Sequence, residues 1–410
     1  MCSEQQCEVI GKKVEMGGQM KKERKDDVVT IFLEGRIDTN NAPQIDEEIQ
    51  GILSENEGVT PVFDASDLEY ISSAGLRVLM KARKSVGTEI AVTEVSPEVY
   101  DIFDTTGFTD LFNVQKRLRE ISVEGCEMIG EGGNGVVYRL DPETIAKVYY
   151  GERNSLEKIR KNKEVTKSVF VQGIPSAIAF DVVKVGEDYG VVYEMIDAKS
   201  MLQEMGDHPD DLDRYANLIA DTLIKLHQIE LEPGSLQDAR NNARADIRAA
   251  ADRGYYTEDE AARLMKLIDD IPERNTFIHQ DFHPGNIMYQ NGEIVLIDVE
   301  DSGLGHPILD LSSMHLVYVT AAKHGWGKIK GALGPKEFAR VWEIILAKYF
   351  NTTDKKELEE INRIIAGYSQ IKFIRGVATS PTVPNMLRKP VISKAKKKLF
   401  STIDTLHPIP

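Results

Sequence analysis

The sequence predicts an α/β domain followed by a bilobal α+β domain, and three observations carry that reading. Strand-like and helix-like segments alternate from Val28 to about Glu120, the pattern of a small sheet with right-handed crossovers. From Val123 the pattern changes to short strands and tight turns with one helical stretch. From about Lys199 to the end it is mostly helical. The expected divisions are a loose arm over 1–26, an α/β domain over 27–120, a β-rich lobe over 121–198 and a helical lobe over 199–410.

Each element has a local reason. The arm is polar and carries KKERKDD, so it reads as loose chain or a poorly packed first strand. VVTIFLEGRI (28–37) is β-rich, and NNAPQIDEEIQGIL reads as an N-capped helix. VTPVFDAS is a second strand; a short loop then leads to SSAGLRVLMKARKSVG, a second helix. TEIAVTEV and PEVYDIFDTTG repeat the unit. The β-rich lobe follows as CEMIGEG, GVVYRLD, TIAKVYY, a helix near 153–170, AIAFDVVKVG and YGVVYEMI. In the helical lobe, DLDRYANLIADTLIKLHQI places Leu212, Tyr215, Ile219, Thr222, Leu223 and Leu226 on one face at helical spacing. A short strand pair is expected inside that lobe, within FIHQDFHPGNIMYQNGEIVLIDVEDSG (277–303).

Composition bounds the chemistry. At 41% hydrophobic and 28% charged residues the chain is an ordinary globular sequence. Its net charge of −16 disfavours nonspecific binding to nucleic acid or an anionic membrane. A polyanion such as a nucleoside triphosphate must then be held by local devices: a divalent metal, oriented amides, one or two lysines. Cys2, Cys7 and Cys126 form an odd, scattered set, which points to a reducing compartment. Acylation of Cys2 and Cys7 is the alternative to an inert N-terminus. No apolar run approaches the ~20 residues a membrane span needs, and MCSEQQCEVIGKK lacks a signal-peptide apolar region; a cytoplasmic location is expected. The basic KAKKKL (394–399) reads as a solvated helix face.

IGEGGNGVVYRL contains Gly130, Gly132, Gly133 and Gly135, with Val137 two residues on. A dinucleotide fingerprint with this glycine spacing must open a helix. Here strand-forming residues follow, so the glycines turn a hairpin whose bare backbone can lie over a triphosphate. A hairpin that is merely glycine-rich would look the same. Lys147 lies twelve residues beyond Gly135 in the strand IAKVYY, within reach of phosphates. A lysine in an apolar strand is costly unless paired; Glu164 on the next helix is the expected partner, with Glu157 second. A solvent-facing lysine on an edge strand is the plainer alternative.

HQDFHPGN and IVLIDVE supply the remaining groups. Asn286 lies five residues after Asp281, and Asp298 seventeen after it. Two oxygen ligands (Asn286, Asp298) and one free carboxylate (Asp281) suit phosphoryl transfer around Mg2+, which keeps several waters and needs few protein ligands. Zinc held by His279 and His283 is the rival, but Pro284 and Gly285 argue for a loop and against the helix that an HExxH-type site requires.

The combined set over about 123–380 resembles the aminoglycoside phosphotransferase/choline kinase-like branch of the protein-kinase-like fold, with HQDFHPGN and LIDVED its most specific part. The resemblance implies ATP and Mg2+ as cofactors and a small-molecule hydroxyl acceptor. It implies that the Gly130–Gly135 loop covers the phosphates and that Lys147 binds them, paired with Glu164. Asp281 would be the catalytic aspartate, Asn286 and Asp298 the metal ligands, and Glu194 to Ile196 the hinge at the adenine edge. His279 and Asp310 resemble residues that brace the catalytic loop, and His283 reads as loop packing. Two departures stand out: Asp298 is followed by Val-Glu where protein kinases have Phe-Gly, and no A-P-E segment follows. Both shift the acceptor towards a small molecule.

Residues 27–120 resemble the STAS domain of anti-sigma factor antagonists, with YISSAGLRVL aligned to that family's phosphoacceptor motif. The alignment puts Ser73 at the acceptor position. Ser72 stands where well-known members have Asp. A serine at this point is by default a helix N-cap, and a phosphoryl group there would meet free amides and the positive end of the helix dipole. The leading expectation is a small-molecule kinase with an N-terminal STAS regulatory module that has a possible protein partner. The alternative is a partner-switching protein whose kinase-like part senses nucleotide or scaffolds; a kinase acting on Ser73 or a similar serine is a third.

Overall fold

The computed structural model describes residues 20–88, 90–132, 135–151, 154–290, 292–323, 333–380 and 383–409. Gly133 and most of the N-terminal arm lie outside the described residues. The chain divides into two units, Met1–Arg119 and Glu120–Pro410.

The first unit runs β1 (Lys22–Lys25), β2 (Val28–Ile37), α1 (Ala42–Glu55), β3 (Thr60–Ile71), α2 (Ser73–Val86), β4 (Ala91–Val95), α3 (Pro97–Thr105) and β5 (Asn113–Lys116). The sheet order is β1-β2-β3-β4-β5, with β1 antiparallel to β2 and the other pairs parallel. β1 is exposed along its whole length, an edge of charged residues, which discourages pairing with another chain. Val29, Ile31 and Leu33 of β2 alternate inward to meet Ile45, Ile49 and Ile52 of α1 and Leu76 and Leu79 of α2 in one core.

The expected loop before Ser72 is absent: β3 continues to Ile71. Its inward positions step from Ala65 to Leu68 to Ile71. That three-residue stride is permitted by register shifts against β2 at Phe32/Glu34 and Gly35/Arg36. Such bulges leave no mark in a two-residue alternation. At the start of α2, a Cβ on Gly75 would stand 2.6 Å from Ile37 Cγ2 and 2.7 Å from Ile71 Cγ1. Only glycine lets the first turn sit this close to the strand ends.

The second unit begins with a sheet ordered β6-β10-β11-β9-β8-β7. Its strands are β6 (Arg119–Glu120), β7 (Glu127–Glu131), β8 (Gly135–Arg139), β9 (Thr144–Tyr149), β10 (Ala179–Val185) and β11 (Asp188–Glu194), with α4 (Leu156–Val171) between β9 and β10. There follow β12 (Lys199–Ser200), α5 (Met201–Asp207), α6 (Leu212–His227), α7 (Arg240–Asp252) and α8 (Glu258–Asp269). β13 (Phe277–Ile278) pairs with β16 (Gly303–Leu304), while β14 (Ile287–Gln290) and β15 (Glu293–Leu296) form the expected hairpin beside β12. α9 (Ile308–His315) and the helices Pro335–Tyr349, Lys355–Thr379 and Asn385–Phe400 complete the lobe.

The predicted face of α6 is buried except at Thr222, which is half-buried and donates its hydroxyl to the Leu218 carbonyl. The helix Lys355–Thr379 buries residues on several sides, among them Ile361, Ile365, Tyr368 and Ile371, as a helix in the middle of a lobe must. In KAKKKL, Lys394, Lys397 and Lys398 are exposed, while Lys396 turns in to pair with Glu260 at 2.6 Å. Among the described residues no helix is long and apolar enough to cross a membrane.

Candidate active site

The glycine loop is a β7–β8 hairpin, closed by Gly132 N–H donating to the Gly135 carbonyl at 3.0 Å. Its glycines are not equivalent. A Cβ on Gly135 would lie 2.3 Å from the Val148 carbonyl oxygen, so packing on β9 demands glycine there. A Cβ on Gly132 meets nothing within 4 Å, and one on Gly130 only Val137, at 3.7 Å. The open side of the hairpin is therefore free to approach a ligand. Val137 lies opposite Lys147 in the β8–β9 register and is half-buried.

Lys147 projects from β9, flanked by β8 and β11, and is 8% exposed. Its Nζ donates to Asp298 Oδ1 at 2.5 Å and to Glu300 Oε1 at 2.8 Å. Burial opposes the charged ammonium, but the two carboxylates outweigh it and hold the pKa above that of a free lysine. The expected partner is corrected here: Glu164 is exposed on α4, as is Glu157, and Glu300 stands in the pairing position. From α4 it is Asn162 that reaches inward, its Nδ2 3.3 Å from Glu300 Oε2. The hydroxyls of Tyr149 and Tyr193 also donate to Glu300 Oε1. One buried carboxylate of the helical lobe thus receives four donors from the β lobe.

Asp298 has φ 57° and ψ 43°, a left-handed conformation that Asp tolerates better than most residues. Gln280, beside Asp281, has φ 68°. Strain of this kind persists only where neighbours enforce it. Asp310 does so at Gln280: its carboxylate accepts the backbone N–H groups of His279 (3.0 Å) and Gln280. Burial would raise the Asp310 pKa, but His227, and then His279 with its backbone amide, keep it below the usual range. His227 donates through Nε2 to Asp310 at 3.1 Å and takes the Tyr349 hydroxyl at Nδ1, 2.7 Å away.

Asn286 Nδ2 donates to the Asp281 carbonyl (3.1 Å) and to its Oδ2 (3.2 Å). Lys372, from the helix Lys355–Thr379, lies 3.3 Å from Asp281 Oδ1. Burial would raise the Asp281 pKa; Lys372, then His283 and His279, more than reverse this and hold the carboxyl well below its ordinary value. His283 does more than pack the loop. Gly285 N–H donates to its Nδ1 at 3.0 Å, so Nε2 carries the proton and faces Asp281 Oδ2 at 3.6 Å. Burial keeps this imidazole neutral, with its pKa below the usual range despite the pull of Asp281.

The hairpin β14–β15 joins these groups. Ile297 N–H donates to the Asn286 carbonyl at 3.1 Å, which sets Asn286 next to the strand end that carries Asp298. Because both amide protons of Asn286 are donated to Asp281, its Oδ1 is left as an acceptor. The Asp298 side chain is 47% exposed. One carboxylate and one amide oxygen fit a hard cation that keeps its waters. A zinc site does not fit: His279 and His283 both give Nδ1 to backbone N–H groups in a loop. Among the described residues no three His, Cys, Asp or Glu side chains converge as a metal cage.

At the lobe junction, Glu194 ends β11, and its carboxylate accepts Ile178 N–H at 2.8 Å. Met195 N–H donates to the Glu143 carbonyl at 2.7 Å, and the half-buried Ile196 accepts from Ala198 N–H at 2.9 Å. In the first unit, Ser72 is the N-cap of α2, accepting Ala74 N–H at 3.2 Å and Gly75 N–H at 3.5 Å. Ser73 is exposed and free of capping duty.

A profile of the phosphotransferase enzyme family matches residues 127–342. The chain belongs to that family. A STAS domain profile matches residues 19–121. The anti-sigma-B factor antagonist of Listeria monocytogenes is 30% identical over 97 residues, 23% of this chain and 84% of that protein; the Listeria innocua protein of the same name matches equally. Among solved structures, ADP-bound aminoglycoside phosphotransferase APH(2'')-Ib aligns over 75% of this chain and 98% of its own, at 14% identity and TM-score 0.44. A choline/ethanolamine kinase family protein from Mesorhizobium loti aligns over 68% and 92%, at 14% identity and TM-score 0.42.

In the phosphotransferase part, sequence reasoning missed Glu300, Tyr149, Tyr193, Asn162 and Lys372. Two of these had a local signal. Tyr149 follows Lys147 by two in a strand and so shares its face, and Glu300 follows Asp298 by two in LIDVED. Lys372 had none, lying in SQIKFIRG far along the chain and outside any motif.

Proposed function

We propose that the protein is an ATP-dependent phosphotransferase acting on a small-molecule hydroxyl, with its STAS domain as a regulatory module. The observation that carries this reading is the 2.5 Å contact between Lys147 of the β lobe and Asp298 of the helical lobe, with Asn286 and Asp281 on the adjoining loop. An ammonium, two oxygen ligands and an ionised carboxylate then border one space, as phosphoryl transfer by positioning and charge neutralisation requires. Mg2+ held by Asn286 and Asp298 would neutralise charge on the triphosphate. Lys147 releases Asp298 and takes phosphate oxygens in its place, while the Gly130–Gly135 backbone covers them and Glu194 to Ile196 borders the adenine. Asp281 orients the acceptor hydroxyl and receives its proton late in the transfer; so acidic a carboxylate is a better orienting group than an early base. A small acceptor is supported by the short path from Asp298 to α9 at Ile308, which leaves no room for an activation segment.

Mg·ATP at about a hundred times its Kd stabilises the protein by ~2.7 kcal/mol, read as a rise in melting temperature. Asp298→Ala loses most of that rise. No shift for wild type at millimolar Mg·ATP would remove the kinase reading and leave a partner-switching scaffold.

We propose Ser73 as a phosphoacceptor, since Ser72 does the capping and leaves its hydroxyl exposed. Intact mass from growing and starved cells is expected to show an added phosphoryl group that Ser73→Ala abolishes. Unmodified protein in every condition returns Ser73 to a plain first-turn residue.

A further inference from the structure

A cavity of about 210 Å³ lies beside the catalytic loop, between α7, α8, α9 and the helix Lys355–Thr379. It holds the equivalent of ~7 waters at about 30 Å³ each. That is smaller than the ~300 Å³ at which drug-sized pockets begin, so its occupant is compact.

The cavity touches the site already described. Gln280, Ser313 and Lys372 line it, and Lys372 Nζ donates to the Gln280 carbonyl (2.7 Å), Ser313 Oγ (2.6 Å) and Asp281 Oδ1 (3.3 Å). All three ammonium protons are thereby committed. Arg375 follows three residues later, on the same helix face, and lines the same cavity. Its Nε lies 3.3 Å from Asp246 Oδ1, and neither Nη atom has a hydrogen-bond partner among the described residues. Tyr368, 3% exposed, also lines the cavity and has a hydroxyl with no partner among them.

The Arg375 Nη edge is the strongest donor left open here, beside the Asp246 and Asp301 carboxylates that also line the cavity, and a ligand group placed on that edge must bring acceptors. An open guanidinium edge matches a carboxylate or phosphate with two parallel bonds. The lining carboxylates are engaged, Asp246 with Arg375 and Asp301 in an interaction of its own, and Asp281 next to the cavity pairs with Lys372. In the lining Lys372 and Arg375 are matched by Asp246 and Asp301, so no excess of negative charge there recruits a polycation, although the chain as a whole carries −16.

Granting the phosphotransferase reading, we infer that this cavity is the acceptor site and that the acceptor is a compact hydroxylated oxyanion. Its carboxylate or phosphate sits on the Arg375 fork, and its alcohol reaches past Lys372 to Asp281. In the transfer, the alcohol oxygen bonds to the γ-phosphorus of ATP as the bond to the β-phosphate oxygen breaks. The alcohol proton passes to Asp281 and ADP leaves.

The test measures ADP release by the full chain with Mg·ATP and six probes. D-glycerate and glucose 6-phosphate carry the carboxylate and the phosphate, glycerol and inositol are uncharged, and choline and kanamycin are cationic. At least one oxyanion is expected to raise ADP release about tenfold or more, and neither cation to do so. Arg375→Gln, on a side chain already 41% exposed, raises KM for that oxyanion by about tenfold or more and leaves kcat nearly unchanged; Arg375→Lys recovers part of the loss. Stimulation confined to uncharged or cationic probes overturns the inference. So does stimulation by none of the six while Mg·ATP still raises the melting temperature, or an unchanged KM in Arg375→Gln. Absence of any Mg·ATP stabilisation would instead remove the phosphotransferase reading beneath it.

Discussion

Asp281→Asn is expected to lower turnover by on the order of a thousandfold while leaving Mg·ATP stabilisation intact. The substitution keeps the shape of the side chain and leaves one oxygen to accept from Asn286 Nδ2 or from Lys372, the two donors that hold it. It removes the charge that orients the acceptor hydroxyl and the base that receives its proton. Lys147, Asn286 and Asp298 remain to hold nucleotide, so binding and chemistry separate. ADP release and melting temperature, measured with and without Mg·ATP, check this. Residual turnover above about a tenth of wild type, or loss of the nucleotide-dependent shift, would deny Asp281 the catalytic role.

Glu300→Ala is expected to be the most destabilising single change in the phosphotransferase part. Its side chain is 6% exposed and receives Lys147, Tyr149, Tyr193 and Asn162. Removing one member of a buried ion pair costs about 3–5 kcal/mol, because the other charge stays buried. Here two hydroxyls lose an acceptor as well. In a domain of this size that is a fall in melting temperature on the order of 5–10 °C. Glu300→Gln, which still offers an oxygen to both tyrosines, should lose less. Mg·ATP stabilisation should also weaken in Glu300→Ala, since Lys147 is then held only by Asp298, the residue proposed to bind metal. Wild-type melting in Glu300→Ala would mean the network contributes nothing net.

Glu300 also shows where reading the chain in order reaches its limit. That Lys147 needs an anionic partner follows from placing an ammonium in an apolar strand, and the structure supplies two. Which anion it meets depends on how the strand faces the rest of the fold, and the nearby Glu164 points to solvent. The same holds around Asp281. The loop HQDFHPGN was legible because its polar residues are adjacent in the chain. Lys372, which makes that carboxylate so acidic, is brought in from another helix.

In the first unit, the order of strands and helices was readable from alternation and turn residues. The continuation of β3 to Ile71 was not, because bulges change which residues face inward. Ser72 and Ser73 were both candidates for the cap by type. Backbone geometry assigned the task to Ser72, whose φ −89° and ψ 173° aim its oxygen at the amides of the first turn.

Periodicity and spacing pointed to the two-part architecture and the hairpin of glycines, and the family resemblance gathered Lys147, Asp281, Asn286 and Asp298 into one expected set, because those signals act over a few residues of contiguous chain. The tertiary structure decided who pairs with whom: Glu300 for Lys147, Lys372 for Asp281, and the residues that meet Arg375 around the cavity. Electrostatic partners are chosen by distance in space, and a charge many residues away can be the nearest one.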